Sequence, residues 1–251
     1  MPNAWDVGSA RLLASLGFEA LATTSSGHAA TLGLLDGLVG RDAALAHSAE
    51  LAAATELPVS ADLENGFGHD PADVSTTVKL AVESGLAGCS IEDFTGDPDN
   101  PIYDREPAVE RVAAAVRAAH EGPVHLVLTA RAENHIRGRD DLADTIARLR
   151  AYQEAGADVL FAPGLADREQ IRAVVAAVDR PVSVLALPGT PPVSELAQLG
   201  VSRVSVGGAF AFAALGTLIE AATELREPGT YGYLERSRVG LGGARRAFGP
   251  R

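Results

Sequence analysis

The 251-residue sequence has little cysteine and little positive charge. Cys89 is the single cysteine, which excludes an internal disulfide and a metal site built from several thiolates. A reducing compartment fits this composition, and we expect a cytoplasmic protein. The formal net charge of −12 argues against a general nucleic-acid-binding surface. An acidic protein that binds an anionic substrate therefore needs a local positive charge or a metal ion.

The sequence also lacks an apolar run long enough to span a bilayer. Two long uncharged stretches are residues 181–194, which contain four prolines, and residues 204–219, which are too short and glycine-rich at their start. The first charged residue is Asp6, so no basic segment typical of a secretory signal is visible. We therefore expect no membrane partner.

Hydrophobic residues make up 47% of the chain, which is enough for a sizeable core. Short β-branched runs alternate with Ala-, Leu- and Arg-rich segments, a pattern that predicts strands alternating with helices. Such alternation indicates a parallel sheet with right-handed crossovers and, at this length, one (β/α)8 TIM barrel over residues 1–226. The predicted strands are 20–24, 58–61, 88–91, 124–129, 158–161, 182–185 and 203–206, and two predicted helices are 107–120 and 140–155.

These runs supply seven strands, whereas a barrel of this kind has eight. Only about four residues precede the first amphipathic helix, fewer than a typical strand contains. We expect the first strand to be truncated to a stub at residues 1–4, with Asn3 and Trp5 near the active-site mouth. The alternative is that the true start of this strand lies upstream.

The composition changes from Glu227 onward. Residues 228–251 contain six glycines and five arginines but one acidic residue, Glu235. We interpret residues 227–251 as a flexible, Gly/Arg-rich C-terminal tail, and the alternative is an arm that binds a partner.

Acidic side chains follow three of the predicted strands, at Asp36, Asp62, Glu64 and Glu92. Active sites of barrels lie at the C-terminal ends of strands, which are about 4.8 Å apart, so the last three should converge. Carboxylates packed that closely take up protons or bind a cation. Oxygen ligands without a His/Cys set favour Mg²⁺, with Mn²⁺ as the alternative. Taken singly, each residue could equally be an ordinary surface acid.

A positive charge follows the next strand, at Arg131. The guanidinium fork suits a substrate carboxylate or phosphoryl group. It could instead pair with Glu133 or Glu92, and both roles can hold at once. The small residues Ser26 and Gly27 follow the first long strand, where backbone N–H groups could approach an anion. Alone, this turn is a weak signal.

Six short segments, in order along residues 2–220, resemble the phosphoenolpyruvate mutase/isocitrate lyase superfamily. They are PNAWD at 2–6, TTSSG at 23–27, SADLENGFG at 60–68, SIED at 90–93, TARAEN at 129–134 and AGAD at 155–158. The resemblance implies a barrel in which Asp62, Glu64 and Glu92 hold Mg²⁺ mostly through water, with Asp36 nearby.

The same resemblance implies how a small 2-oxo acid would be bound. It would chelate the ion beside Asp62, contact Ser26 and Gly27 through its carboxylate or phosphonate, and develop an enolate stabilised by Arg131. It also implies a homodimer or homotetramer that exchanges a C-terminal helix, which here would begin near Phe210.

The loop at residues 93–104 departs from the family pattern. It carries neither the Lys-Cys-Gly-His type of segment found in the lyases nor the Lys-Thr-Asn-Ser type of the mutases. Cys89 cannot take the place of the lyase cysteine, because strand alternation points it away from Glu92. Tyr103, Asp97 and Asp104 are left as candidate proton carriers, although each could equally be a turn or capping residue. We expect this loop to be a mobile gate.

The catalytic candidates are thus Arg131, Tyr103 and Glu92. The expected activity is a Mg²⁺-dependent lyase that cleaves a carbon–carbon bond of a small 2-oxo or 2-hydroxy carboxylic acid through an enolate. One alternative is a phosphonomutase that acts on a carbon–phosphorus bond. Another is a non-catalytic barrel that binds a metabolite.

Overall fold

The structure, a computed structural model, describes residues 1–122 and 124–249. Eight parallel strands follow one another around a nearly closed barrel in chain order, which confirms the predicted TIM-barrel architecture. The strands are β1 (Asn3–Ala4), β2 (Leu21–Thr23), β3 (Val59–Asp62), β4 (Gly88–Glu92), β5 (Val127–Arg131), β6 (Val159–Phe161), β7 (Val182–Leu185) and β8 (Arg203–Ser205). No helix in the described part of the chain is both long enough and apolar enough to cross a membrane.

The helices lie between the strands or after the last one. They are α1 (Val7–Ser15), α2 (Ser25–Thr31), α3 (Arg41–Ala53), α4 (Pro71–Glu83), α5 (Arg105–His120), α6 (Leu142–Glu154), α7 (Arg168–Ala177), α8 (Val193–Gln198), α9 (Ala209–Arg226) and α10 (Leu234–Phe248). The seven predicted strands differ from the observed bounds by at most three residues at either end, and the two predicted helices by at most two.

Acidic side chains begin several of the helices. The carboxylate of Asp6 accepts from the Ser9 N–H at 2.6 Å and the Ser9 hydroxyl accepts in return from the Asp6 N–H, which is a capping box. Asp141 and Asp167 cap α6 and α7 in a similar way through backbone N–H groups of the first turn. Some of the acidic residues that give the chain its negative charge therefore cap helices and do not belong to a binding site.

The first strand is a two-residue stub, as expected. The side chain of Asn3 adds hydrogen bonds to both neighbouring strands. β1 pairs with β2 through its backbone. The Asn3 carboxamide oxygen accepts from the Ser205 hydroxyl at 2.9 Å and from the N–H groups of Val206 and Gly207 at 2.9 and 3.1 Å. The Asn3 amide donates to the Thr23 carbonyl at 2.8 Å. One side chain thus joins β8 to β2 across the short strand.

Most of the segment predicted to be a Gly/Arg-rich C-terminal tail forms the helix α10 in the structure. This helix packs against α1. Gly243 is buried, and a Cβ added there would lie 3.2 Å from the Leu12 Cδ1 atom, so the missing side chain lets the two helices approach closely. Glu224 accepts bonds from Thr230 and Gly232 and so fixes the turn before α10. Arg251, counted with this segment, lies outside the described residues.

Candidate active site at the C-terminal mouth of the barrel

The mouth is the end of the barrel at which β3, β4 and β5 finish. Strand register places Asp62 beside Ser90 and Glu92 beside Arg131. A cavity of about 1030 Å³ opens at this point, and a smaller one of about 270 Å³ continues toward the barrel interior. The two cavities share Ser25, Asp36, Arg131 and Arg137 in their walls.

Arg131 lies at the centre of the mouth and contacts three carboxylates. Its guanidinium nitrogens lie 3.1 Å from Asp62 Oδ1, 3.0 Å from Glu92 Oε2 and 2.8 Å from Glu133 Oε1. Burial alone would lower the pKa of Arg131, but the carboxylates of Glu133, Glu92 and Asp62 raise it well above its ordinary value. Arg131 is therefore ion-paired with Glu92 and Glu133, and it also faces both cavities.

A second cation, Arg137, supports the same carboxylates. It lies 3.2 Å from Glu133 Oε2 and 3.6 Å from Glu92 Oε1, and its guanidinium stacks 3.5 Å above the Phe94 ring. Burial raises the pKa of Glu92 well above its usual range, while Arg131 opposes the shift and Glu133 adds to it. The Glu92 side chain is therefore in surroundings that favour a bound proton or an additional cation.

Glu64 is held in an uncommon backbone conformation beside these residues. Its φ of 49° lies in the left-handed region, which a non-glycine residue rarely adopts. Burial first, and then the nearby charges of Asp62 and Asp36, raise the pKa of Glu64 to about 7 against the opposing effects of Arg131 and Arg137. Asp36 is exposed in the loop after α2 and lines both cavities. The four acids singled out from the sequence thus lie around one mouth.

Ser26 and Gly27, the predicted anion-binding turn, occupy the start of α2. Ser26 lines the inner cavity, whereas Gly27 is not among the described residues that do so. The Gly27 N–H donates to the Thr24 hydroxyl at 3.3 Å, and a Cβ on Gly27 would lie 3.0 Å from the Trp5 Cβ. The visible role of Gly27 is close packing, and its contact with substrate stays a prediction.

Tyr103 lies just behind the wall of the outer cavity. Its hydroxyl is 2.6 Å from His69 Nδ1, and its ring lies under the Arg111 guanidinium at 4.3 Å. His69 lines the cavity, but Tyr103 is not among its described lining residues. Tyr103 is therefore connected to the cavity wall through its hydrogen bond with His69. Sequence reasoning missed His69, although it directly follows the acidic segment 60–68.

The loop after β4 is a short hairpin anchored at its base. Phe94 and Ile102 form an antiparallel bridge, and the Thr95 N–H donates to the Pro101 carbonyl at 2.9 Å. Asp97 is exposed and accepts from the Asp99 N–H, which is a turn contact. Asp104 is exposed at the start of α5. Neither Asp97 nor Asp104 lines the outer cavity in the described structure. Motion of the loop stays a prediction.

Asp93 anchors this hairpin from below. Its buried carboxylate accepts from the Tyr152 hydroxyl at 2.6 Å, from Arg148 at 3.1 Å and from the Glu133 N–H at 2.8 Å. Cys89 is also fully buried, and burial raises the pKa of its thiol to about 12. Its interpretation as a core residue is confirmed.

Arg203, at the start of β8, is a second site residue that sequence reasoning missed. It donates to the Ser183 and Thr129 hydroxyls at 3.0 and 3.1 Å and lines the inner cavity. Burial lowers the pKa of Arg203 to about 10, and repulsion from Arg131 contributes. No carboxylate in the described residues lies within ion-pair distance of it. The sequence feature that could have identified Arg203 is an arginine within an otherwise apolar predicted strand.

Comparison with known proteins places these features in a family. The model of the phosphoenolpyruvate phosphomutase family matches residues 1–226, the whole barrel with α9. The chain belongs to that family. It is thus a member of the phosphoenolpyruvate mutase/isocitrate lyase superfamily, as the six sequence segments predicted.

Three relatives illustrate the similarity. A crystal structure from Burkholderia cenocepacia J2315, provisionally described as a lyase/mutase, is 57% identical with a TM-score of 0.91 and covers 94% of this chain and 85% of its own. The structure of 2,3-dimethylmalate lyase is 30% identical with a TM-score of 0.83 and covers 92% and 83%. An oxaloacetate decarboxylase of Paraburkholderia xenovorans is 32% identical over 83% of this chain and 70% of its own. The superfamily thus includes carbon–carbon lyases.

Proposed function

We propose that the protein is a Mg²⁺-dependent lyase that cleaves a carbon–carbon bond of a small 2-oxo or 2-hydroxy carboxylic acid through an enolate. The observation that carries the proposal is Arg131, held among the carboxylates of Asp62, Glu92 and Glu133 and facing the cavities at the mouth. The naming of related proteins as lyases and decarboxylases supports the type of bond.

The donor set at the mouth fits Mg²⁺. Asp62, Glu64 and Glu92 offer carboxylate oxygens, and burial raises the pKa of Glu64 and of Glu92, so both side chains favour a bound proton or a bound cation. Within the described residues these oxygens do not form a group in which all lie within 4.8 Å of one another. An ion held mostly through its own waters would not need the three carboxylates to be that close, and Asp36 would lie at its rim. When bound, Mg²⁺, or Mn²⁺ in its place, would polarise the substrate carbonyl as a Lewis acid.

The chain's own residues would then bind the substrate and stabilise charge. Arg131 is positioned by its carboxylate partners before substrate arrives, so its positive charge is already fixed in the mouth, where negative charge on an enolate oxygen would develop. Ser26, on the inner wall, can donate a hydrogen bond to a substrate carboxylate. Arg203 supplies a cation deeper in the same cavity that has no carboxylate partner in the described part of the chain, which favours a substrate with a second anionic group.

Proton transfer has no cysteine available at the mouth, because Cys89 is buried in the core. We assign it to the pair formed by Tyr103 and His69, whose shared hydrogen bond connects the loop to the cavity wall. Closure of the hairpin at residues 93–104 would exclude water from the enolate.

We also propose a homodimer or homotetramer. Helix α9 packs on α2 and β1, and it leaves large apolar side chains uncovered. Phe212, Leu218 and Ile219 are 51%, 63% and 66% exposed. Apolar side chains placed together on one helix are typical of an interface between protein chains. Light scattering of the full chain tests this proposal, and a monomer at micromolar concentration would contradict it.

The enzymatic proposal is tested by isotope exchange. Proton NMR in deuterium oxide should show Mg²⁺-dependent loss of the C3 protons of pyruvate or oxaloacetate with the wild-type chain and none with Asp62→Asn. Phosphorus NMR with phosphonopyruvate distinguishes a phosphonomutase, because only that enzyme rearranges the carbon–phosphorus bond. Binding of these acids without exchange or rearrangement would indicate a non-catalytic barrel.

A further inference from the structure

Two histidines and an aspartate meet at the end of the barrel opposite the mouth. His120 is the last residue of α5, His125 precedes β5, and Asp158 precedes β6. Each of these strands begins here and finishes at the mouth, where Arg131 ends β5. The cluster is therefore separate from the acidic site and plays no part in the proposed reaction.

The three side chains present ligand atoms to one small volume. His120 Nε2 lies 2.9 Å from one Asp158 carboxylate oxygen, and His125 Nε2 lies 3.3 Å from the other. One ligand atom from each residue lies within 4.8 Å of the other two. A tetrahedral zinc ion, with bonds of about 2.0–2.2 Å, holds neighbouring ligand atoms about 3.4 Å apart. The observed spacing therefore needs only small side-chain shifts to accept such an ion.

The cluster is also held in place and open to solvent on one side. The two imidazole rings stack with centroids 4.1 Å apart and planes 19° from parallel, so both turn the same edge to Asp158. The Leu128 N–H donates to the Asp158 carboxylate at 2.8 Å, which fixes its orientation as a carboxylate ligand is usually fixed. The side chains of His120, His125 and Asp158 are 27%, 56% and 20% exposed, which leaves access for an ion and a water.

The chemistry of the donors distinguishes this cluster from the mouth. Two imidazole nitrogens and one carboxylate suit zinc, cobalt or nickel, whereas the carboxylate oxygens of the mouth suit magnesium. Three protein ligands leave a fourth position for water. Such an ion would also tie the connection between α5 and β5 to the start of β6.

We propose that His120, His125 and Asp158 form a second metal site, which binds a divalent ion of the zinc class at the N-terminal end of the barrel. The competing explanation is that the histidines only donate hydrogen bonds to Asp158, with no ion. The two explanations predict different behaviour toward zinc and cobalt.

The test uses the full chain, stripped with a chelator and kept in millimolar Mg²⁺ so that the mouth is supplied with its own cation. Zn²⁺ is titrated by calorimetry, and Co²⁺ binding is followed by its visible absorption. We expect one equivalent of Zn²⁺ in the wild type, a visible Co²⁺ band of tetrahedral intensity, and a rise in Tm with Zn²⁺. His125→Gln should weaken Zn²⁺ binding by at least about 100-fold.

Two further variants, His69→Gln and Asp62→Asn, show whether the ion binds at this cluster or at the mouth. His125 is more than half exposed, so its replacement should leave the fold intact. His69→Gln removes a histidine from the mouth instead and should bind Zn²⁺ like the wild type. Equal Zn²⁺ affinity in the wild type and His125→Gln, with loss in Asp62→Asn, would place the ion at the mouth and overturn the proposal. Failure of the wild type to bind Zn²⁺ or Co²⁺ would overturn it in favour of hydrogen bonds alone.

Discussion

Replacing Glu64 with glutamine should stabilise the protein at alkaline pH and leave its stability at acidic pH almost unchanged. The pKa of Glu64 is raised from an ordinary 4.5 to about 7, first by burial and then by the charges of Asp62 and Asp36. A carboxyl group whose pKa is raised by folding makes its full contribution to the free energy of unfolding below its unfolded pKa. That contribution is lost as the pH rises through the folded value. Glutamine imitates the neutral form at every pH.

The magnitude follows from the size of the shift. Each pKa unit corresponds to about 1.36 kcal/mol, so the full shift corresponds to a ceiling of about 3 kcal/mol. Glu64 lines an open cavity, and solvent screening reduces the expected difference to about 1–2 kcal/mol. For a chain of this size, that difference raises Tm by about 3–6 °C. The left-handed backbone at residue 64 is common to both side chains, so its strain cancels in the comparison.

The assay is thermal unfolding of the wild type and Glu64→Gln at pH 5 and pH 8, in chelator and then in Mg²⁺. In chelator the variant should melt higher than the wild type at pH 8 and should exceed it by much less at pH 5, which lies just above the ordinary pKa of 4.5. Mg²⁺ should reduce or reverse the difference at pH 8, because the wild type gains a carboxylate ligand that glutamine replaces poorly. Glu19→Gln, at an exposed position, is the control and should show no dependence on pH or Mg²⁺. A variant no more stable than the wild type at pH 8 in chelator would refute the reasoning.

Three further outcomes are expected from steady-state kinetics. Arg131→Lys should lower kcat about 100-fold or more, because lysine keeps the positive charge but not the planar fork of the guanidinium. Near-wild-type turnover would show that Arg131 is structural. Tyr103→Phe and His69→Gln should lower kcat by similar factors of about 10²–10⁴, and an unchanged rate in Tyr103→Phe would remove the phenol from the proton path. Arg203→Met should raise the KM of dicarboxylic substrates more than that of pyruvate, and equal changes for both would separate Arg203 from substrate binding.

The barrel and most of its acidic mouth were predictable from the sequence because both depend on simple regularities. Strand length and alternation fixed the order of elements, and parallel strands bring their C-terminal ends together. That topology is enough to bring Asp62, Glu92 and Arg131 into one place. The ion pair between Arg131 and Glu133 was also among the alternatives considered, since the two residues lie two positions apart at a strand end.

The features that escaped prediction depend on tertiary contacts between distant segments. Helix α10 is stabilised where Gly243 meets Leu12, and composition alone suggests disorder in that segment. The link from Tyr103 to His69 joins two loops whose conformations no periodic pattern determines. Arg203 was missed because a strand pattern shows where an arginine lies but not that, among the described residues, its partners are hydroxyl groups and no carboxylate.

The balance of charge at the mouth connects the proposed metal to the proposed substrate. Arg131 already contacts Asp62 and Glu92, two of the carboxylates that would hold Mg²⁺, so the ion and the guanidinium share ligands. An ion bound there alone would face Arg131 and Arg137 as like charges. A 2-oxo dicarboxylate carries two negative charges, which compensate those of the ion, and it adds oxygen ligands of its own. Metal and dianionic substrate should therefore bind with positive coupling, each raising the affinity for the other by the same factor.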